Sequence, residues 1–347
     1  MKLKMNCGIS SSEQSKNLIK DELEKAECAI DNNVDYLSNI SIHIPVIKDF
    51  WTELCRLNRK NTCFCSVPLY EACLFEQPII DVIKRHHEEY GVKTMTFHMT
   101  DVKLIKRALD ENFRINSRAG YFLSKSDFQT NPHVSDLEML IRYCQKNKIN
   151  IHIGTSLRPG KVDASPQINY LTLQELKDTR NFYDMFVNNG IETEIECMGH
   201  VSIQQLPQYK YFLNDREICS MGPLITDSVN EYDDLNAMFG YHLAAEQGMN
   251  IKTICIITRS EHIRIPDLSD DLDAIKKWQI YTYLYDLTHN TVGTQTAKNK
   301  ELTVISKRSR QATQCSCHVN IFGEMNVPKH CNVCGDCCPL EMKNKTL

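Results

Sequence analysis

Ile149-Asn150-Ile151-His152-Ile153-Gly154-Thr155 runs directly into Ser156-Leu157-Arg158-Pro159-Gly160. Three isoleucines alternate weakly through the first seven positions without a helical period, which predicts a short strand of a parallel sheet. The next five set an arginine among small residues and a proline. In such a turn backbone N–H groups and a guanidinium can converge on an anion, although an arginine that simply follows a turn at the surface reads the same way. An amphipathic stretch, Leu173–Asn188, comes next, with Gly190 as its C-terminal signal and Thr172 and Glu175 in the spacing of a capping box.

The same succession recurs along most of the chain. Candidate strands are Lys4–Ile9, Val34–Ile40, Thr62–Val67, Lys93–Met99, Phe113–Ser117, Ile149–Thr155, Ile191–Cys197, Glu217–Met221 and Ile251–Thr258. Amphipathic stretches lie between them at Ser12–Ile30, Glu71–Tyr90, Val134–Asn147 and Asp234–Gln247, the last followed by Gly248. Strand and helix alternating over nearly 290 residues predict an α/β fold with a parallel sheet. The nine candidates fit a (βα)8 TIM-type barrel with one strand to spare. A doubly wound sheet is the competitor, but no Gly-x-Gly-x-x-Gly follows the first strand. The barrel is expected over residues 1–290. Residues 291–347 are expected to form a polar connector, Asn290–Gln314, without clear periodicity, and a small Cys-rich segment, Cys315–Met342.

The composition is that of an ordinary globular chain: 347 residues, 42% apolar, 24% charged, with a formal charge of −4. No basic stripe argues for nucleic acid, and no apolar run is long enough to span a membrane. Met1–Asn6 lacks the apolar core of a signal peptide, so a cytoplasmic protein is expected. In that setting sixteen cysteines point to core positions or metal ligation rather than crosslinks. Ten are scattered (Cys7, Cys28, Cys55, Cys63, Cys65, Cys73, Cys144, Cys197, Cys219 and Cys255), and most of these read as small core hydrophobes. Six crowd between Cys315 and Cys338.

Chemistry in such a barrel belongs at the carboxyl ends of the strands. Polar and ionisable residues collect there: His98, Ser117-Arg118, Thr155-Ser156, Arg158, Glu196 with His200, Cys219, and Glu261-His262. Arg118 and Arg158 suit a phosphate or carboxylate. His200 and His262, each with a carboxylate nearby in sequence (Glu196, Glu261), could share one divalent metal. The run Cys331-Asn332-Val333-Cys334-Gly335-Asp336-Cys337-Cys338 can wrap an iron–sulfur cluster. A structural zinc, completed by Cys315, Cys317, His318 or His330, fits that spacing as well.

Four segments in order, Leu157-Arg158-Pro159-Gly160 before Leu171-Thr172-Leu173-Gln174-Glu175-Leu176, Glu196-x-x-Gly199-His200-Val201, Gly222-Pro223-Leu224-x-Thr226-Asp227 and Glu261-His262-x-x-x-Pro266, carry a resemblance. The chain resembles the ThiC family of noncanonical radical S-adenosylmethionine enzymes, the phosphomethylpyrimidine synthases, from Asn6 to Cys338. The resemblance implies a (βα)8 barrel homodimer with a 4Fe-4S cluster, S-adenosyl-L-methionine and one mononuclear divalent metal, zinc or iron. It implies an external electron donor, flavodoxin or ferredoxin, and a 5′-deoxyadenosyl radical that attacks a nucleotide, 5-aminoimidazole ribonucleotide. Position by position, Asn6, Tyr70, His98, Ser117, Arg118, Arg158 and Glu196 match substrate contacts. His200 and His262 match the mononuclear metal ligands, and Cys331 and Cys334 the first two cluster cysteines.

The departures from the family pattern are specific. The third cluster cysteine comes early, as Cys338 or Cys337, in place of Cys-x2-Cys-x4-Cys. Thr155-Ser156 stands for Asp-Gly, Cys219 for a tyrosine of the substrate pocket, and Glu231-Tyr232-Asp233-Asp234 for Gly-Tyr-Asp-His. The expectation is a chain that starts at the first barrel strand, without the amino-terminal domain of many bacterial members. The resemblance then implies a lyase that rearranges 5-aminoimidazole ribonucleotide to 4-amino-5-hydroxymethyl-2-methylpyrimidine phosphate in thiamin biosynthesis. The alternatives are 5-hydroxybenzimidazole synthase, a paralogue with another product, a relative whose tail holds structural zinc, and a hydrolytic enzyme built on the two histidines.

Overall fold

A computed structural model describes residues 1–10, 17–57, 61–163, 165–310 and 321, with the backbone alone over 305–310. It divides into two compact units, Met1–Lys276 and Lys277–Leu347. In the first, eight parallel strands close into a barrel: β1 (Lys2–Cys7), β2 (Tyr36–Asn39), β3 (Cys63–Ser66), β4 (Thr94–His98), β5 (Asn150–Gly154), β6 (Thr193–His200), β7 (Ile218–Leu224) and β8 (Ile251–Cys255). Each pairs with its sequence neighbour, and β1 pairs with β8. The fold is the (βα)8 barrel expected from the alternating pattern.

Period two along each strand sends one set of side chains out to the helices and the other into the lumen. The outward set is apolar. Phe97, fully buried, packs its ring 4.7 Å from His133 and 6.4 Å from Phe186. Leu37, Met95, Ile151, Ile153, Ile195 and Ile254 are equally buried on that side. The inward set is polar. Register places Thr96 beside His152, His152 beside Glu194, Glu196 beside Cys219, and Cys219 beside Thr253. Barrels usually fill this space with branched apolar side chains.

Several local expectations need correction. Phe113–Ser117 is not a strand. It is the entry to the helix Arg118–Lys125, and it makes only an isolated bridge, Ile115 to Pro159. Glu71–Tyr90 is two helices, Pro68–Leu74 and Ile79–Glu88, since Pro78 cannot continue the first. The helix read from Ser12 begins at Leu18. Thr172 is no cap: Asn169 takes that place by accepting from Leu171 N, and the helix runs Tyr170–Asn188. Gly190 and Gly248 do follow helices with φ of 73° and 74°. Of the ten scattered cysteines, all free, six are buried and Cys28, Cys55, Cys63 and Cys73 are half-buried.

In the second unit the stretch read as a connector contains a helix, Thr294–Arg310. Thr291 Oγ1 donates to Asp286 at 2.6 Å, and Thr294 Oγ1 to the His289 carbonyl at 2.7 Å. Tyr283 donates to Glu301. Cys331, Cys334, Cys337 and Cys338 lie outside the described residues. Among the described residues no helix is long and apolar enough to cross a membrane.

Candidate active site at the carboxyl ends of the strands

The turn after β5 is built around a buried carboxylate. Glu175 accepts from Ser156 N at 2.6 Å, Leu157 N at 2.9 Å and Thr100 Oγ1 at 2.5 Å. Burial pushes its acid up to about 7 even so, against those bonds and Arg158. Thr155 Oγ1 donates to the Glu196 carbonyl at 3.1 Å and ties the turn to β6. Arg158 emerges with NH1 3.8 Å from Glu196 Oε1. That NH1 is buried and has no hydrogen-bond partner among the described residues, a donor left for something else.

Two glycines make room for these side chains. A Cβ on Gly154 would fall 2.4 Å from the His98 ring, and one on Gly199 2.5 Å from Arg158 Cγ. Gly199 also has φ of +86°, next to Met198 at +96°, where β6 breaks register against β7. Such a bulge re-aims the chain beyond it. His200 is thereby turned to the mouth, its N–H bonded to the Pro159 carbonyl at 3.1 Å.

A cavity of about 240 Å³ brings together Asn6, Tyr70, His98, Arg118, Arg158, Glu196 and His262. Burial pulls His98 down to about 4, so its imidazole is neutral near pH 7. Burial would push Glu196 up, but the Lys4 ammonium and the Arg158 guanidinium outweigh it and hold the acid at about 2. Arg118 is fixed through NH1 to the Ile40 carbonyl at 3.2 Å. Ser117 does not line this cavity; its hydroxyl is buried without a partner among the described residues. Cys219 does not line it either. It is fully buried in the lumen, with Sγ 3.9 Å from Cys255 Sγ.

His200 and His262 meet with Nε2 atoms 3.2 Å apart. The carboxylates that orient them are not Glu196 and Glu261, which stand near them in sequence. His200 Nδ1 contacts Asp227 at 2.6 Å, and His262 Nδ1 contacts Asp233 at 3.1 Å. This set fits a metal on two counts. Two nitrogens on one tetrahedral zinc stand about 3.3 Å apart, and carboxylates on the far nitrogens are the usual support of metal-binding imidazoles. Asp227 closes the segment Gly222-Pro223-Leu224-x-Thr226-Asp227 and Asp233 lies in Glu231-Tyr232-Asp233-Asp234, but nothing in the sequence pairs either with a histidine.

Lower in the lumen His152, Glu194 and Cys219 also converge, with donor atoms within 4.8 Å of one another. Lys4 Nζ contacts His152 Nδ1 at 3.1 Å. If that nitrogen accepts from the ammonium, the neutral ring carries its proton on Nε2, and neither nitrogen is open to a metal. Sequence reasoning does not place Lys4, Glu175, His152 or Glu194 in the site. The signal was there for Lys4, two positions before Asn6 and hence on the same face of the strand.

The family model described as Radical SAM ThiC family matches residues 1–345. The phosphomethylpyrimidine synthase of Carboxydothermus hydrogenoformans is 25% identical over 99% of this chain and 85% of its own length. That of Clostridium acetobutylicum is 24% identical over 100% and 83%, and that of Fusobacterium nucleatum 28% identical over 82% and 68%.

Proposed function

The chain belongs to the Radical SAM ThiC family, and from that premise we propose that it is a radical S-adenosylmethionine lyase acting on 5-aminoimidazole ribonucleotide, a phosphomethylpyrimidine synthase of thiamin biosynthesis. The observation that carries the reading is the cavity in which Arg118, Arg158, Glu196 and His98 face one space beside the His200–His262 pair.

The Lys4–Glu196 pair, 2.7 Å apart, cancels its own charge. Two guanidiniums are then left to bind a phosphate, and the unpartnered Arg158 NH1 is a donor ready for one of its oxygens. Glu196, held ionised, accepts from a hydroxyl or amine of the nucleotide. Neutral His98, with Nδ1 3.3 Å from Ser156 Oγ, can hydrogen-bond the ligand without adding charge. His200 and His262 would hold the mononuclear metal, with Asp227 and Asp233 fixing their rings. Cys331, Cys334 and either Cys338 or Cys337 would hold a 4Fe-4S cluster. When bound, the cluster supplies the electron that cleaves S-adenosylmethionine to a 5′-deoxyadenosyl radical. Flavodoxin or ferredoxin as reductant, and a homodimer, complete the proposal. The chain's own task is to grip and orient the nucleotide and keep water from it.

The test is anaerobic reconstitution followed by incubation with S-adenosylmethionine, a reductant and 5-aminoimidazole ribonucleotide, read by mass spectrometry. The pyrimidine phosphate together with 5′-deoxyadenosine, both lost in Cys334→Ala, is the expected result. A benzimidazole product would move the chain to the cobamide branch. An intact nucleotide beside accumulating 5′-deoxyadenosine would refute the substrate. Stoichiometric zinc with no reducible cluster would refute the radical reaction.

A further inference from the structure

Lys4 is 2% exposed, and its ammonium sits inside the barrel rather than at either end. Nζ donates to Glu196 Oε2 at 2.7 Å and to Thr96 Oγ1 at 3.5 Å, and it contacts His152 Nδ1 at 3.1 Å. These contacts join β1 to β4, β5 and β6 across the lumen. Thr96 Oγ1 donates to the same Oε2 at 3.3 Å. One oxygen of Glu196 is therefore engaged from below by two donors. The other, Oε1, is the one 3.8 Å from Arg158 at the cavity. A carboxylate gripped through one oxygen cannot rotate, so the direction of the other is set.

We propose that Lys4 is a positioning residue of the site: it fixes Glu196 as a charged acceptor with Oε1 toward the ligand, so that Glu196 orients the nucleotide and does not act as an acid. This rests on the nucleotide reading of the cavity. Around Glu196 the other titratable groups are His98 on β4, His152 on β5, Arg158 beyond it, Cys219 on β7, Glu194 and Cys197 on its own strand and Tyr70 from the helix Pro68–Leu74. Lys4 and Arg158 are the cations among them, and Arg158 stands farther off. Burial alone would drive the Lys4 ammonium down, but Glu196 keeps it well above its ordinary value, so both partners stay charged.

The experiment follows Glu196 itself by carboxyl 13C resonance in the full chain, assigned with Glu196→Gln. In the unaltered protein the resonance stays ionised between about pH 4 and 8. In Lys4→Met its midpoint rises by roughly three units, the scale of a buried carboxylate losing its contact counter-charge. Affinity for 5-aminoimidazole ribonucleotide is measured in parallel as the ratio of variant to unaltered protein, which cancels the phosphate's own titration. That ratio falls as pH drops through the new midpoint, up to about tenfold per unit. Lys4→Gln still donates to Oε2 without charge, and it is read in the same way if Lys4→Met does not fold. An unmoved midpoint with a flat ratio, even alongside lost stability, overturns the proposal, because Arg158 would then suffice. A moved midpoint in a protein that binds the nucleotide at no pH upholds Lys4 and sinks the substrate reading instead.

Discussion

The eight strands present two buried faces of opposite chemistry. Toward the helices stand Leu37, Phe64, Met95, Phe97, Ile153 and Ile254, and toward the axis Lys4, Thr96, His152, Glu194, Glu196 and Thr253. Both sets are almost inaccessible to water. The outward set gains the usual benefit of apolar burial, about 1.5–3 kcal/mol for each large side chain. The inward set gains little net stability, since each charge and hydroxyl gave up hydration to be there. One face holds the barrel closed, and the other uses that stability to keep charges in fixed places.

Truncation on the outward face has the largest effect. Phe97→Ala should cost about 3–5 kcal/mol in urea unfolding, with nucleotide affinity per folded molecule unchanged. A loss of affinity as large as the loss of stability would break the distinction between the faces.

On the inward face an uncharged isostere should stabilise. Burial raises Glu194 from 4.5 to about 7 against a bond from Thr253, and its Oε2 has no partner among the described residues. A folded value above the unfolded one means stability is full below about pH 4.5 and is lost as pH rises through about 7. Glu194→Gln should therefore be more stable than the parent by up to about 3 kcal/mol at pH 8, with the gain gone near pH 4.5. The thermal midpoint measured against pH checks it, and a gain independent of pH would mean Glu194 pays no penalty for its charge.

The smallest of the three effects concerns the mouth. Asp227→Asn should weaken zinc binding about 10–100-fold in chelator competition and leave the unfolding midpoint of the zinc-free protein in place. An unchanged zinc affinity would leave the His200–Asp227 contact without a role in metal binding.

The two faces also differ in how well the sequence announces them. The outward face is apolar on most strands, and that pattern sufficed to find all eight. Phe113–Ser117 has the same texture, but its one bridge, Ile115 to Pro159, is antiparallel, closed by Asn116 N to the Arg158 carbonyl at 2.9 Å and Gly160 N to the Arg114 carbonyl at 3.0 Å, so it joins no strand of the barrel. The mouth residues were legible because they end strands. Glu194 sits inside a strand, where charge reads as solvent exposure, and only barrel closure makes it internal; Lys4 is betrayed by Asn6 alone, its neighbour on the same face. Asp227 lies in the loop after β7 and Asp233 opens the helix Asp233–Glu246, and they reach their histidines across 27 and 29 residues. Glu175 looked like half of a capping box because its spacing from Thr172 suits one, yet its carboxylate serves the neighbouring turn.

The bulge in β6 has a last consequence. Met198 and Gly199 turn the strand so that His200 leaves it toward the mouth, while the missing side chain of Gly199 is the recess in which Arg158 lies. The His200 amide then closes on Pro159, the residue after that arginine. Metal corner and anion corner thus hang from a single hinge of backbone, and evolution cannot retune the grip on one without disturbing the other.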